Sequence, residues 1–302
     1  MMYPPLVDGL GRVHRSLRVS VTDRCNIRCV YCMPAEAVVF RPREELLTFE
    51  EMRDFCHVCI SLGVNQIRLT GGEPLLRADL PRLVAMLAGL DGLEDLALTT
   101  NGMLLRDVAG PLREAGLQRL NISLDTLSES MFLRISRRTG LERVLDGIAA
   151  AMQAGFPQIR LNAISLRHFT ETEVVPLARF ARARGLELRF IEFMPLDADQ
   201  HWNTSEVLSG REVRTLLEHE FGPLRPATRD DLHQPATDYV YADGRGSVGF
   251  INSVTEPFCA DCDRLRLTAE GQVRNCLFST VEWDARQLLR MGASDDDLRD
   301  LL

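Results

Sequence analysis

Between residues 17 and 192 the chain alternates short strand-like runs with longer amphipathic stretches, and few folds accept that order. Strands are expected at 17–22, 66–70, 95–99, 119–124, 158–165 and 187–192. Helices are expected between them at 48–62, 79–90, 104–115, 128–154 with a break near Gly140, and 171–184. Gly63, Gly116, Gly155 and Gly185 stand where those helices should stop. Repeated strand–helix units predict a parallel sheet with helices packed outside it. Composition shifts after Pro195, where 197–209 is polar and loop-like and 208–221 reads as a helix. Pro, Gly and short strand signals follow, at 238–241 and 247–252. A boundary is therefore placed near residue 195, dividing 1–195 from a smaller, irregular part at 196–302 held partly by its cysteines.

The strands carry an unusual pattern. A strand covered on both faces should read as a nearly continuous apolar run. Here Arg18, Ser20 and Thr22 alternate with Leu17, Val19 and Val21, and Arg68 and Thr70 with Ile67 and Leu69. Asn121 and Ser123 alternate with Leu120, Ile122 and Leu124, and Arg160 and Asn162 with Ile159 and Leu161. A period of two sends these polar side chains to one common face. An unpaired buried guanidinium would cost several kcal/mol. The sheet is therefore expected to curve, with a concave face that is a polar binding chamber. The competing expectation is that each arginine meets an acidic residue on a helix.

Charge and composition narrow the classes. The 302 residues are 45% hydrophobic and 26% charged, an ordinary globular balance. No apolar stretch approaches the ~20 residues of a bilayer span, so no membrane role is expected. Basic residues number 35 against 43 acidic, a net −8, which argues against general nucleic-acid binding. Every one of those basic residues is Arg, a planar fork suited to phosphate and carboxylate. The stretch 1–18 is interrupted by Pro4, Pro5 and charges, so no signal peptide is read and a cytoplasmic chain is expected.

The eight cysteines fall into three groups. Cys56 and Cys59 share the apolar stripe of a helix opened by a Thr48/Glu51 capping box, and read as small core residues. Cys25, Cys29 and Cys32 form C-x3-C-x2-C on the loop after the first strand, where barrel enzymes keep their active sites. Cys259, Cys262 and Cys276 form C-x2-C-x13-C near the other end. Each set has three members, whereas a structural zinc site or a conventional [4Fe–4S] centre takes four. A three-thiolate cubane keeps one open iron, the mark of a catalytic rather than an electron-transfer centre. GGEP at 71–74, after strand two, offers backbone that a ligand can approach closely. Arg264 and Arg266 follow just beyond Cys262.

CNIRCVYC, with Tyr31 before the third cysteine, resembles the signature of the radical S-adenosylmethionine enzymes, and GGEP stands one strand later, as it does there. The second trio with its Arg-x-Arg, together with TTNG (99–102), NISLD (121–125) and RFIEFM (189–194), resembles the GTP 3′,8-cyclase family of molybdenum cofactor biosynthesis from about residue 17 to 302. The resemblance implies an α/β fold: an incomplete (β/α)6 TIM-like barrel with a small irregular C-terminal cluster-binding domain. It implies two [4Fe–4S] clusters, one on Cys25, Cys29 and Cys32 with S-adenosylmethionine, the other on Cys259, Cys262 and Cys276 with its open iron toward guanine. It places Tyr31, Gly72, Ser123 and Met194 on the cofactor and Arg18, Arg68, Thr99, Arg160, Arg264 and Arg266 on GTP, with Arg264 and Arg266 in the catalytic role. Arg160 departs from the usual lysine and keeps only the charge. The implied chemistry is removal of the ribose 3′ hydrogen by a 5′-deoxyadenosyl radical, then C3′–C8 bond formation. An electron donor, a homodimer and a downstream cyclic pyranopterin monophosphate synthase are implied partners, and the family's Gly-Gly tail would lie past Leu302. Two readings stay open beside it: a peptide-modifying radical S-adenosylmethionine maturase with an auxiliary cluster, and a zinc or iron–sulfur binding module.

Overall fold

The computed structural model describes residues 3–200, 202–228 and 233–302. Six parallel strands form its centre: β1 (Ser16–Ser20), β2 (Gln66–Thr70), β3 (Asp95–Thr100), β4 (Arg119–Ser123), β5 (Gln158–Ser165) and β6 (Glu187–Glu192). They stand in sequence order, with α1 (Phe49–Ser61), α2 (Leu80–Ala88), α3 (Ala109–Glu114), α4 (Glu129–Ser136), α5 (Leu141–Gln153) and α6 (Val174–Arg184) in the crossovers. The expected strands are thus present within two residues at each end. Local chemistry sets the helix bounds. The Thr48 hydroxyl accepts from the Glu51 amide at 3.1 Å and the Glu51 carboxylate from the Thr48 amide at 2.7 Å, opening α1. The break between α4 and α5 falls at Gly140, whose φ of +123° only glycine adopts without strain.

The C-terminal part continues the same sheet. After α7 (Gly210–Phe221), β7 (Leu224–Pro226), β8 (Thr237–Tyr241) and β9 (Ser247–Ile251) join the β6 edge, β9 pairing parallel to β6. The chain then crosses to the opposite edge, where β10 (Arg264–Leu267) pairs parallel to β1, followed by β11 (Gln272–Arg274) and β12 (Trp283–Asp284). The helices α8 (Ala285–Arg290) and α9 (Asp295–Leu301) pack on α1, with Arg290 donating to Glu51 and Arg299 to Ser61. Among the described residues, 196–302 thus add three strands to each edge, and twelve strands form one open sheet.

Curvature follows from what shares the inner face. The first strand's Leu17, Val19 and Val21 are fully buried toward the helices, as are Leu120, Ile122 and Leu161. Residues of β10, β1 through β6 and β9 all line one cavity of about 380 Å³. Laid flat, eight strands at ~4.8 Å spacing would span ~34 Å, far wider than that cavity. The sheet therefore curls into a partial barrel.

Candidate active site

The first cysteine trio occupies the loop leaving the C-terminal end of β1. Two neighbouring motifs hold that loop. Gly72 donates its amide to the Thr22 carbonyl at 2.8 Å and Glu73 to the Arg24 carbonyl at 2.7 Å. A Cβ at Gly72 would collide with the Arg24 carbonyl, and one at Gly71 would press on the Thr22 carbonyl. The glycines of GGEP thus permit the close approach of two backbones at the cysteine loop. Glu73, buried, accepts from Thr100 (2.6 Å), the Asn101 amide (2.7 Å) and the Leu75 amide (3.0 Å). Burial raises its pKa in spite of those bonds. Asn101 in turn donates to Asn26 at 2.7 Å, beside Cys25. TTNG therefore braces the loop through Glu73.

Tyr31 donates its hydroxyl to Asp125 at 2.7 Å, and Asp125 also accepts the Ile164 amide at 2.8 Å, which ties the loop to β4 and β5. Burial pushes the pKa of Cys25, Cys29 and Cys32 upward, and the thiols lie close enough that Cys25 raises Cys32, and both raise Cys29. Such thiols stay protonated until a soft cation replaces the proton. Ser123 ends β4 half-buried, and Gly72 is exposed at the C-terminal rim.

The second trio lies at the other end of the barrel. Cys259 and Cys262 immediately precede β10, which runs parallel to β1, and Cys276 follows the returning β11. All three thiols line the chamber, as do Arg18, Arg68, Thr99, Arg160, Arg264, Arg266 and Met194. The first trio, Tyr31, Gly72 and Ser123 lie outside that lining. The trios are thus separated by about the length of β1, ~17 Å for five residues at ~3.3 Å each, with the arginine face between them.

The charge in that chamber is poorly balanced. The pairing register sets Arg18 opposite Arg266 on one side and Arg68 on the other, three guanidinium groups across adjacent strands. Among the described residues no carboxylate lies within ion-pair distance of Arg18, Arg68, Arg264 or Arg266. The Nε atoms of Arg18 and Arg266 are buried without a hydrogen-bond partner. Burial, then the charges of Arg68, Arg264 and Arg266, pull the Arg18 pKa well down against the pull of Asp263. Burial and neighbouring arginines likewise bring Arg68 down to about 9 and Arg266 to about 10. Guanidinium does not deprotonate in proteins, so these directions report first the cost of burying the charge and then the repulsion among neighbours, both of which a bound polyanion would offset.

Arg160 behaves differently. Its Nε donates to Glu187 at 2.7 Å, and Glu187 also takes Arg189. The expected acidic partner is present here, on a neighbouring strand rather than a helix. Arg264 stacks 4.9 Å from the Phe258 ring centroid and donates to the Cys262 sulfur at 3.3 Å.

Sequence reasoning missed Arg12, Arg119 and Arg189, which also line the chamber. Arg189 alternates with the buried Leu188 and Phe190, so the period that identified Arg160 would have found it. Arg119 shares the parity of Asn121 and Ser123, so the same period would have found it too; Arg12 carried no such signal, because it precedes the strands.

Both trios offer only soft thiol donors. Among the described residues no three His, Cys, Asp or Glu side chains are gathered so as to hold a metal ion. Three thiols, on one loop in the first trio and at the open end of the β10–β11 hairpin in the second, are a donor set that suits a multinuclear iron–sulfur group, in which different irons take different thiolates. No helix among the described residues is long and apolar enough to cross a membrane.

Comparison with known proteins agrees with this architecture. Two family models match in tandem: "Radical SAM superfamily" over residues 19–181 and "Molybdenum Cofactor Synthesis C" over 186–302. Solved structures share the fold: Streptococcus suis SuiB bound to S-adenosylmethionine (TM-score 0.67, 14% identity, covering 93% of this chain and 66% of that one) and methylornithine synthase (0.58, 18%, covering 96% and 86%). The fold and the family model define a radical S-adenosylmethionine protein, a class that implies a [4Fe–4S] cluster and S-adenosylmethionine. GTP 3′,8-cyclases of Rhodopirellula baltica and Acidothermus cellulolyticus are 54% and 49% identical, over 97% and 96% of this chain and 82% and 81% of theirs. Molybdenum cofactor biosynthesis protein 1 of Drosophila melanogaster is 41% identical over 99% of this chain, which spans 52% of it. The chain belongs to the GTP 3′,8-cyclase family.

Proposed function

We propose that the protein converts GTP to 3′,8-cyclo-7,8-dihydro-GTP, the first step toward molybdopterin, and that Cys259, Cys262 and Cys276 hold a second [4Fe–4S] cluster. The observation that carries this reading is the row Arg266, Arg18 and Arg68, without a carboxylate partner among the described residues, on the chamber wall that the second trio shares. Arg18, Arg68 and Arg266, adjacent in register, present a multidentate cradle for a triphosphate. Arg264 is braced between Phe258 and Cys262 and stands where the purine would meet the second trio. Thr99 and Arg160 extend the same lining toward β5, and Met194 lies on it past the end of β6. Tyr31, Gly72 and Ser123 stand around the other end, where S-adenosylmethionine would bind. The bound cofactor and reduced cluster supply a primary carbon radical able to remove the ribose 3′ hydrogen. The chain's own work is to fix C3′ near that carbon, bring guanine C8 within bonding reach of C3′, neutralise phosphate charge and exclude water.

An external electron donor, a homodimer, a cytoplasmic location and a downstream cyclic pyranopterin monophosphate synthase complete the proposal. No nucleic acid and no membrane take part in it. The test is anaerobic incubation of the iron-loaded protein with GTP, S-adenosylmethionine and dithionite. A cyclised nucleotide formed together with 5′-deoxyadenosine supports the reading. Deoxyadenosine without it points to another radical chemistry, such as peptide modification. Stoichiometric zinc without iron or sulfide would mark a binding module.

A further inference from the structure

We propose that Arg12 is the positioning residue of the carboxy-terminal cysteine trio, fixing the backbone at Cys259 and setting a permanent positive charge beside Cys262 and Cys276. The inference rests on the reading that this trio holds an iron–sulfur cluster.

Arg12 belongs to a small hairpin closed by the Val7–Val13 bridge, the Gly11 amide donating to the Asp8 carbonyl at 2.9 Å and the Asp8 amide to the Arg12 carbonyl at 3.1 Å. Its base is moored on the barrel, since the Leu6 amide donates to the Leu62 carbonyl at 2.9 Å. Asp8 aims the guanidinium. One carboxylate oxygen accepts the Leu10 and Arg12 amides, each at 3.0 Å; the other accepts Arg12 Nε at 2.8 Å and a terminal nitrogen as well. The His14 ring backs that second oxygen at 3.3 Å. With two arms of the fork taken, the third donates to the Cys259 carbonyl at 3.1 Å.

A mere turn staple would need none of this. The hairpin is already closed by its own backbone, yet the side chain reaches a residue 247 positions away. Arg12 also forms part of the chamber wall with all three cysteines, and Cys262 and Cys276 lie close enough to favour its charge. Its side chain is 13% exposed and that of Asp8 is 7%, so the geometry is set before any ligand arrives. Groups that orient metal ligands from behind are typically worth about 10–100-fold in metal affinity. A fixed cation beside a thiolate-bound cluster favours its reduced, more negative state.

The experiment uses the full chain loaded with iron and sulfide under anaerobic conditions. Variants are Arg12→Gln, Arg12→Lys, Asp8→Asn and the triple alanine replacement of Cys259, Cys262 and Cys276. Iron loss to a chelator and the midpoint potential of each cluster, followed by electron paramagnetic resonance, are the readouts. Arg12→Gln is expected to release carboxy-terminal iron at least about ten-fold faster and to lower that cluster's potential. The amino-terminal iron, the internal control for folding, is expected to stay as in the parent. Arg12→Lys should recover the potential in part while iron loss stays fast, because an ammonium lacks the fork. Asp8→Asn should reproduce the glutamine variant more weakly. Unchanged release and potential in Arg12→Gln, or equal loosening of both clusters, would overturn the inference alone. Full iron retention in the triple alanine variant would overturn it together with the reading on which it rests.

Discussion

Replacing Arg18 by Met should make the ligand-free protein more stable and the GTP complex weaker. Arg18 stands between Arg266 and Arg68 in the pairing register, with a buried, unbonded Nε. Neighbouring strands lie ~4.8 Å apart and the guanidinium heads can fan to ~5–8 Å, which at an effective dielectric of ~20 gives about 2–3 kcal/mol of repulsion per neighbour. Ions recruited from solution offset part of the two contributions, leaving a net gain of about 2 kcal/mol on removal of the charge. For a chain of 302 residues that is a rise in Tm of about 3 °C. Charge-assisted bonds to phosphate are each worth about 1.5–3 kcal/mol, so the same change should weaken GTP binding about 10–100-fold. The assay is thermal unfolding with and without tripolyphosphate, which should stabilise the parent and barely affect the variant. A variant that melts lower than the parent without ligand, or binds GTP as tightly, would refute the claim that this arginine row is held apart by repulsion until a polyanion bridges it.

Four further outcomes follow from the site. Gly72→Ala should displace the Arg24 carbonyl and cost the iron of the amino-terminal trio; iron counted after anaerobic reconstitution, unchanged, would show that the two backbones can part. Cys25→Ala and Cys259→Ala should each remove about half of the bound iron, read by iron and sulfide assay, if each trio holds its own cubane. Glu187 has its pKa pulled below the usual value, burial opposing but Arg189 and Arg160 prevailing. Its contribution is therefore complete above the unfolded value near 4.5 and fades as pH falls through the lower folded value; Glu187→Gln should cost about 3 kcal/mol in urea unfolding at pH 7 and flatten the acid limb. Cys56 and Cys59, fully buried with pKa values pushed up by burial, should resist iodoacetamide until the apoprotein is unfolded; their labelling in the native state would contradict the core assignment.

How much was legible can be judged strand by strand. The central strands announced themselves because apolar and polar residues alternate across them, and glycines punctuate the helices between. That same alternation exposed Arg18, Arg68 and Arg160 as one face. It could not reveal that Arg160 would meet Glu187 while Arg18 would meet no carboxylate, since which strands lie side by side decides the partners. β10 passed unread because Arg264–Leu267 is only four residues long and its arginines looked like companions of the cysteines rather than rungs of a ladder. Missing β10 also hid the register that sets Arg266 beside Arg18. The glycines of GGEP were read as an opening for a ligand; the structure shows their Cβ directions filled by the cysteine loop itself, a contact between segments about fifty residues apart. Tertiary closeness of that kind leaves no periodic trace.

The pairing of β1 with β10 also governs how the molecule comes into being. β1 is made about 245 residues ahead of its partner β10, so its outer ladder of amides and carbonyls stays open until β10 arrives. During that interval the basin is unwalled on one side and the amino-terminal thiols are already present. The amino-terminal loop is accessible throughout, whereas Cys259 and Cys262 emerge just ahead of β10 and Cys276 only after β11.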